Sequence, residues 1–389
     1  MGAANVPVTR RMVRRVLGGV LVAVACTGLA VACTSDGDIP PVTAPTPPVE
    51  EQGGTNAAGR DVELVLPPLT ALDPTIAERL SVRLRSLSQD LPEGVDSVSV
   101  RLPEEPAFVA DLLELVATRG AGLACVLGPD VAGIADRTAL RHGATTVCAL
   151  PVTLPELVEA GGFEPTPAVR VDVPVTELGV LVGTAARTAA LTAVAQVEPD
   201  DDDLDPDADE PVAPAAEAPR VGLVLLGDEL PANRFREGIL TGLAGVEAVE
   251  AEDADATALE ALEAVLAADV QVVIVDGGPG AAEVVAAAAG RSAIVAPVDL
   301  LTGEPPAGVV LGYRLRWEQV VRVLLDSFAG AGQLEAPVLV GVGDDVLELE
   351  VGGEHPEVLR ALEDVQAQFA TRDDPRAPLV DEGPPDGGP

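Results

Sequence analysis

From residue 61 onward, short apolar runs alternate with longer stretches whose apolar positions recur every three to four residues. "VELVL" predicts a strand, and "LDPTIAERLSVRLRSL" a helix with Asp73 as N-cap and Pro74 at its first position. "VDSVSVRL" reads as a strand and "PAFVADLLELVATRG" as a helix ending at Gly120. "GLACVLG", "DVAGIADRTALRH" and "TTVCALPV" continue the alternation, and "AVRVDVP" (168–174) reads as a strand leaving this first unit. A second series follows: a helix over 176–196, strand "RVGLVLL", a helix over 232–244, strand "VEAVEAE", a helix over 255–268, strand "VQVVIVD", a helix over 280–289 and strand "SAIVAPVD". "GVVLGY", the helix "RWEQVVRVLLDSFAG", strands "APVLVGV" and "VLELEVGG", and a helix near 355–371 are left over. Strands alternating with helices of this length predict two α/β units, each a parallel sheet covered on both faces.

Three stretches fall outside this pattern. The first 33 residues contain "RRMVRR", an apolar run of 17 residues and then an abrupt polar turn at "CTSDGD". A basic segment before a short apolar run ending in small residues predicts an export signal rather than a permanent span. "AVAC", ending at Cys33, resembles a bacterial lipobox and implies lipidation of that cysteine, with Cys26 a weaker second candidate. Residues 34–60, rich in Pro, Thr and Gly, predict a tether. Residues 198–219 carry ten acids and no base, and 373–389 read as a disordered tail. The acidic block predicts a solvated loop interrupting the second unit, because it lacks the glycine-bearing spacing of a calcium loop; no metal site is expected.

Composition sharpens the partner classes. The 389 residues include 24 basic side chains, all arginine, against 63 acids. Four of those arginines precede Cys33, so the remainder carries 20 arginines against 63 acids, a net −43. Such a field repels phosphodiester backbones and anionic lipid headgroups, which excludes nucleic acid as a partner. Only seven residues are aromatic, so the core must be aliphatic. Cys125 and Cys148 sit in apolar runs; an exported chain could oxidise them, but buried free cysteine behaves as a small hydrophobe, and the expectation is two core thiols.

Little in the chain points to catalysis. His142 and His355 lie beside predicted helix ends. There is no Gly-x-Ser-x-Gly elbow, no zinc spacing of Cys and His, and no Walker A sequence. No enzyme activity and no cofactor are expected. "LLGDELPANRF" offers one glycine where a dinucleotide turn needs three, and Asp228 and Glu229 would repel a phosphate. In that segment Gly238 and Gly242 share a helix face and predict close helix–sheet packing. "DGGPGAAE" (276–283) reads either as a tight turn before Pro279 or as backbone N–H groups capping an anion or a sugar hydroxyl.

The ordered set "RVGLVLLGDELPANRFREGILTGL", "VQVVIVDGGPGAAEVVAAA" and "SAIVAPVD" resembles the basic membrane protein (BMP) family, bacterial lipoproteins related to purine nucleoside receptors of ABC importers. "ELGVLVGTAA" (177–186) and "PPAGVVLGYRLRWEQVVRVLLDSFAGAG" add to it; the likeness covers 168–350, and 61–167 by topology alone. It implies a two-lobed type I periplasmic-binding-protein fold, each lobe a doubly wound parallel sheet, joined by a hinge of three crossovers. Lobe one would take 61–170 plus 307–330, and lobe two 171–306 plus 331–372. Ligand would bind between them. The resemblance further implies that Asp299 accepts ribose hydroxyls, that Gly277 and Gly278 approach the ligand, that Phe235 stacks on a base, and that Arg316 or Arg314 supplies a basic contact. Lobe one departs from the family: "PPLTALDPT" replaces an Asp-Gly-Ser-Phe-Asn-like loop, "LGPDVAG" has no aromatic, and "CALPV" lacks the expected terminal acid. The implied function is a solute-binding lipoprotein on the outer face of the cell membrane, serving an ABC permease with a nucleoside-like ligand. The alternative is a BMP-like surface lipoprotein, sensor or structural, without a transport role and with a degenerate ligand site.

Overall fold

The computed structural model describes residues 60–67, 71–128, 131–151, 166–196, 218–227, 232–251, 256–301, 306, 308–334, 337–353 and 355–370. The signal segment 1–33 with Cys33, the tether short of Arg60, nearly all of the acidic insert, Asp228 and Glu229, and the tail lie outside the described residues.

The first series forms β1 (Asp61–Val65), α1 (Pro74–Ser86), β2 (Ser97–Arg101), α2 (Ala107–Thr118), β3 (Leu123–Leu127), α3 (Ala132–Arg141), β4 (Thr146–Leu150) and β5 (Val169–Asp172). The second forms α4 (Val175–Ala195), β6 (Arg220–Val224), α5 (Ala232–Leu243), β7 (Glu247–Glu250), α6 (Ala258–Leu266), β8 (Val272–Val275), α7 (Ala281–Ala288), β9 (Ala293–Pro297) and β10 (Val309–Leu315). The chain then runs through α8 (Trp317–Ala331), β11 (Val338–Leu339), β12 (Leu347–Val351) and α9 (Pro356–Ala370).

Two six-stranded sheets result, ordered β11-β5-β4-β3-β1-β2 and β12-β10-β9-β8-β6-β7. Every pairing is parallel except β10 with β12. The chain passes between sheets at β5–α4, after β10, and between β11 and β12, which makes three crossovers. This is the two-lobed type I periplasmic-binding-protein fold. The lobe boundaries differ from the expected ones at two places. β10, within 307–330, pairs with β9 in the second sheet, and β11, within 331–372, pairs with β5 in the first. Periodicity defines an element but not the neighbour it hydrogen-bonds.

Strand parity explains the layers. Leu123, Cys125 and Leu127 face one core, whereas Ala124 and Val126 face a smaller core under α2 and α3. In the second sheet Val273 and Val275 meet α6 and α7, and Val272 and Ile274 face the larger core. That larger core runs through both lobes by way of α1, α4, α5, α8 and α9. α4 is long and apolar enough to cross a membrane by length and composition alone. Its apolar character has a packing cause: α4 lies between the second sheet, α5 and α9 and is buried along most of its length.

The glycines of α5 pack against a helix, which corrects the expected helix–sheet role. A Cβ on Gly238 would overlap the Thr176 carbonyl oxygen, and one on Gly242 the Val180 carbonyl oxygen. Reciprocally, Gly179 and Gly183 of α4 leave no space for a Cβ against the carbonyls of Phe235 and Ile239. Two Gly-x-x-x-Gly faces therefore interlock, and the backbones touch.

The two cysteines also differ from expectation. Cys125 and Cys148 face the same side of adjacent strands, in register, with Cα atoms 4.5 Å apart, and they form a disulfide. Each run predicted burial correctly; the pairing follows from register, which neither run encodes. Thiol titration of the denatured, unreduced protein should find neither cysteine free. A Cys125→Ala/Cys148→Ala variant should lose about 3 kcal/mol of stability, since the bridge closes a span of 23 residues.

Candidate functional site

In doubly wound sheets the C-terminal ends of the strands leave a crevice where strand order reverses. In the second lobe this crevice lies at the ends of β6 and β8, and β9 and β10 extend its wall. A cavity of about 30 Å³ sits there, lined by Leu225, Gly227, Asp276, Gly277, Pro297, Asp299 and Tyr313–Leu315, with Leu178 and Phe235 behind and Ile76 of α1 in front. That is room for one or two waters, about tenfold below the ~300 Å³ at which pockets for drug-sized ligands begin.

The chain itself fills the cleft. Asp299, 4% exposed, follows β9 in a single 3-10 turn (Val298–Leu300). Its carboxylate accepts a two-pronged hydrogen bond from Arg83 of α1: Nη1 to Oδ2 at 2.9 Å, and Nη2 to Oδ1. Arg79, one turn earlier on the same helix, reaches within 3.9 Å of Oδ1. A planar guanidinium matches a carboxylate in this fork geometry. The hydrogen bond to Asp299 holds the Arg83 guanidinium above its ordinary value; burial opposes this, and the charges of Asp299, Glu318 and Glu348 add to it.

A second bridge lies at the start of α1. Asp73 caps its own helix through Oδ1, which accepts from the Thr75 amide at 2.9 Å, as the sequence predicts. Its Oδ2 accepts from the Ala282 amide at 3.2 Å, in the first turn of α7 across the cleft. Gly280, the residue before that helix, has φ +82° and offers no side-chain cap of its own. Asp73 also donates its backbone N–H to the Gly277 carbonyl at 3.0 Å. One aspartate thus caps a helix in each lobe.

Asp299 and Gly277 line the cavity, but the first is engaged by Arg83 and the carbonyl of the second by Asp73. Gly278 is pressed against Leu226 and Gly227, so its missing side chain serves contact between two turns. The Asp276 carboxylate ties those turns together, accepting from the amides of Leu226 (2.8 Å), Gly227 (2.8 Å) and Gly278 (3.1 Å). Phe235 is 2% exposed and tilts against Tyr313 with centroids 5.5 Å apart. Its ring is part of the cavity's back wall, and Tyr313 donates its hydroxyl to the Val275 carbonyl at 2.8 Å.

Of the two arginines, Arg314 lines the cavity and Arg316 does not. Arg314 is paired with Glu348 and, at 3.3 Å, with Glu318. Arg316 turns away at the β10–α8 crossover, donating to the Asp345 carboxylate at 2.6 Å and lying 3.6 Å from Glu318. The sequence reading missed Arg79 and Arg83. Their i, i+4 spacing on the helix that also buries Ile76 and Leu80 was the available signal.

His142 contacts Glu114 at 2.8 Å and His355 contacts Glu357 at 3.3 Å, each next to a helix end. No group of three His, Cys, Asp or Glu side chains among the described residues could hold a metal ion.

Solved structures similar to the chain include an ABC transporter system solute-binding protein from Conexibacter woesei DSM 14684, at 17% identity and a TM-score of 0.52, covering 80% of this chain and 96% of that one. A transcriptional activator of the comK gene from Bacillus halodurans matches at 16% identity and TM-score 0.54, covering 80% and 98%. ABC transporter system solute-binding proteins from Aeropyrum pernix K1 match at 16% identity and TM-score 0.51, covering 80% and 86%. At these identities the likeness is one of fold. No family model and no curated protein sequence matches the chain.

Proposed function

We propose that this chain is an extracytoplasmic solute-binding protein, held to the cell membrane by lipid at Cys33, that captures a small solute between its lobes for an ABC permease. The observation that carries the reading is the Arg83–Asp299 pair. It places a buried carboxylate at the strand-end crevice of one lobe and its counter-charge on the other, so the two lobes meet over the position where this architecture takes ligands. Hinge motion would part them and expose both charges to a solute. The ABC transporter solute-binding proteins of the same fold, and the signal and tether read from the sequence, support the same reading. The nucleoside-like ligand implied by the BMP resemblance is less well supported: Phe235 is packed within lobe two and Asp299 is taken by an arginine.

One observation favours a second reading, a surface lipoprotein without a transport role. The cavity is about 30 Å³, and Asp299, an acid of its lining, is already satisfied by Arg83 of the other lobe. A thermal-shift screen of the full chain in detergent, with nucleosides, monosaccharides and amino acids, separates the two. On the capture reading one class raises Tm; a ligand at 100 times its Kd adds about 2.7 kcal/mol, which is about 3–4 °C for a chain of this size. No shift with any class would remove the capture reading and leave the second.

A further inference from the structure

The charges that close the cleft specify what can open it. Resting on the capture reading, we infer that the solute is a small zwitterion with an apolar substituent, of the α-amino acid class, which inserts into the Arg83–Asp299 pair and replaces each half of it.

Parting the lobes separates a carboxylate on lobe two from the guanidinium groups of Arg79 and Arg83 on lobe one. Asp299 is nearly buried, so a ligand closing the lobes again must supply it with a donor or leave a desolvated charge without a partner. The same requirement, with the sign reversed, holds for the arginines. A cation satisfies one half, an anion the other, and a neutral solute neither by charge. A molecule carrying an ammonium and a carboxylate a few ångströms apart satisfies both. The ammonium would meet Asp299 and the carboxylate the fork of Arg83. Arg314 also lines the cavity; its Nη2 is paired with Glu348 and Glu318, and its buried Nε, without a hydrogen-bond partner among the described residues, is the donor it has left.

The rest of the wall sets the substituent. Leu178, Leu225, Pro297, Leu315 and Ile76 line the cavity together with Asp299, and the two aromatic rings of its lining are packed together. The Asp276 oxygens are already held by three backbone amides and are not placed to select a polar side chain. Two lobe-crossing salt bridges reach this cavity among the described residues, from Arg83 and, longer, from Arg79, and both end on Asp299, so a ligand has one carboxylate to satisfy.

The test uses the full chain in detergent and the twenty standard L-amino acids, with L-leucine as the reference probe. It also includes 4-methylpentanoate, which lacks the ammonium, and isoamylamine, which lacks the carboxylate. The expected result is a Tm rise with L-leucine or another aliphatic amino acid, and affinity at least about 100-fold weaker for each singly charged analogue. Asp299→Asn should abolish the preference for L-leucine over 4-methylpentanoate, and Arg83→Gln the preference over isoamylamine. Circular dichroism confirms that each variant is folded, and the analogue ratios remain readable in a destabilised variant. A shift with a nucleoside or a sugar but with no amino acid overturns the inference and leaves solute capture standing. Equal binding of L-leucine and either analogue also overturns it. No shift with any solute overturns both.

Discussion

Gly238→Val is expected to be the most damaging single substitution in the helical layers. A Cβ at Gly238 meets the Thr176 carbonyl oxygen, the Gly179 Cα and the Val180 amide nitrogen, all backbone atoms of α4. A flexible side chain could rotate away, but a helix backbone moves only if the helix moves. Overpacking in a core typically costs about 1–3 kcal/mol and occasionally more. With rigid partners on every side, about 3 kcal/mol is expected for Gly238→Ala and more for valine, a large part of the ~5–15 kcal/mol that holds a domain folded. Gly330, within α8, supplies the control. A Cβ there meets nothing within 4 Å, so Gly330→Ala should stabilise by about 0.5–1 kcal/mol through helix propensity alone. Urea unfolding of the two alanine variants should give opposite signs. A loss below about 1 kcal/mol at Gly238 would mean that α4 and α5 do not pack as closely as described.

Arg83→Met should have the second-largest effect, and its form is informative. The substitution keeps the length of the side chain and leaves the Asp299 carboxylate, 6% exposed, with only Arg79 at 3.9 Å. Stranding a buried charge costs about 3–5 kcal/mol if the structure stays as it is. The lobes have another course, since parting at the cleft returns Asp299 to water. The measured loss should therefore fall below that range, accompanied by a larger radius of gyration in small-angle X-ray scattering. Arg83→Met/Asp299→Leu removes both charges and should recover most of the lost stability and the compact radius. Arg79→Met should cost less than about 1 kcal/mol, because Arg79 is more exposed and farther from the carboxylate. A single Arg83→Met variant with unchanged stability and unchanged scattering would show that the pair does not hold the lobes together.

Particular residues show which parts of this picture were legible in the sequence. The N-cap at Asp73 was readable because a cap is a local event, made within three residues. Its second role, capping α7, involves a residue 209 positions away and leaves no trace in either segment. Leu123–Leu127 announced a buried strand by its apolar run, but the disulfide needed the register Cys125↔Cys148, a property of two strands at once. Asp299 was found by resemblance, and the structure does place it at the cavity, yet its partner lies 216 residues earlier in a helix read only as amphipathic. Arg316 and Arg314 were not separable from sequence: two positions apart, they would share a face of a continuing strand, but β10 ends at Leu315 and Arg316 is the N-cap of α8, which turns it away from the cavity.

The segment "NRFREGILTGL" draws the same line. By itself it determined a helix after a strand, and its glycine spacing established that something approaches one face closely. The tertiary structure decided that the approaching surface is another helix carrying the matching spacing, and that Phe235 packs on Tyr313 in the wall of a cavity. The division has a physical reason. Hydrogen bonds and side-chain periodicity within an element depend on residues a few positions apart, so the local pattern specifies the α/β layers. What a given side chain meets depends on register, strand parity and the crossing of distant elements, which are settled only when the whole core packs.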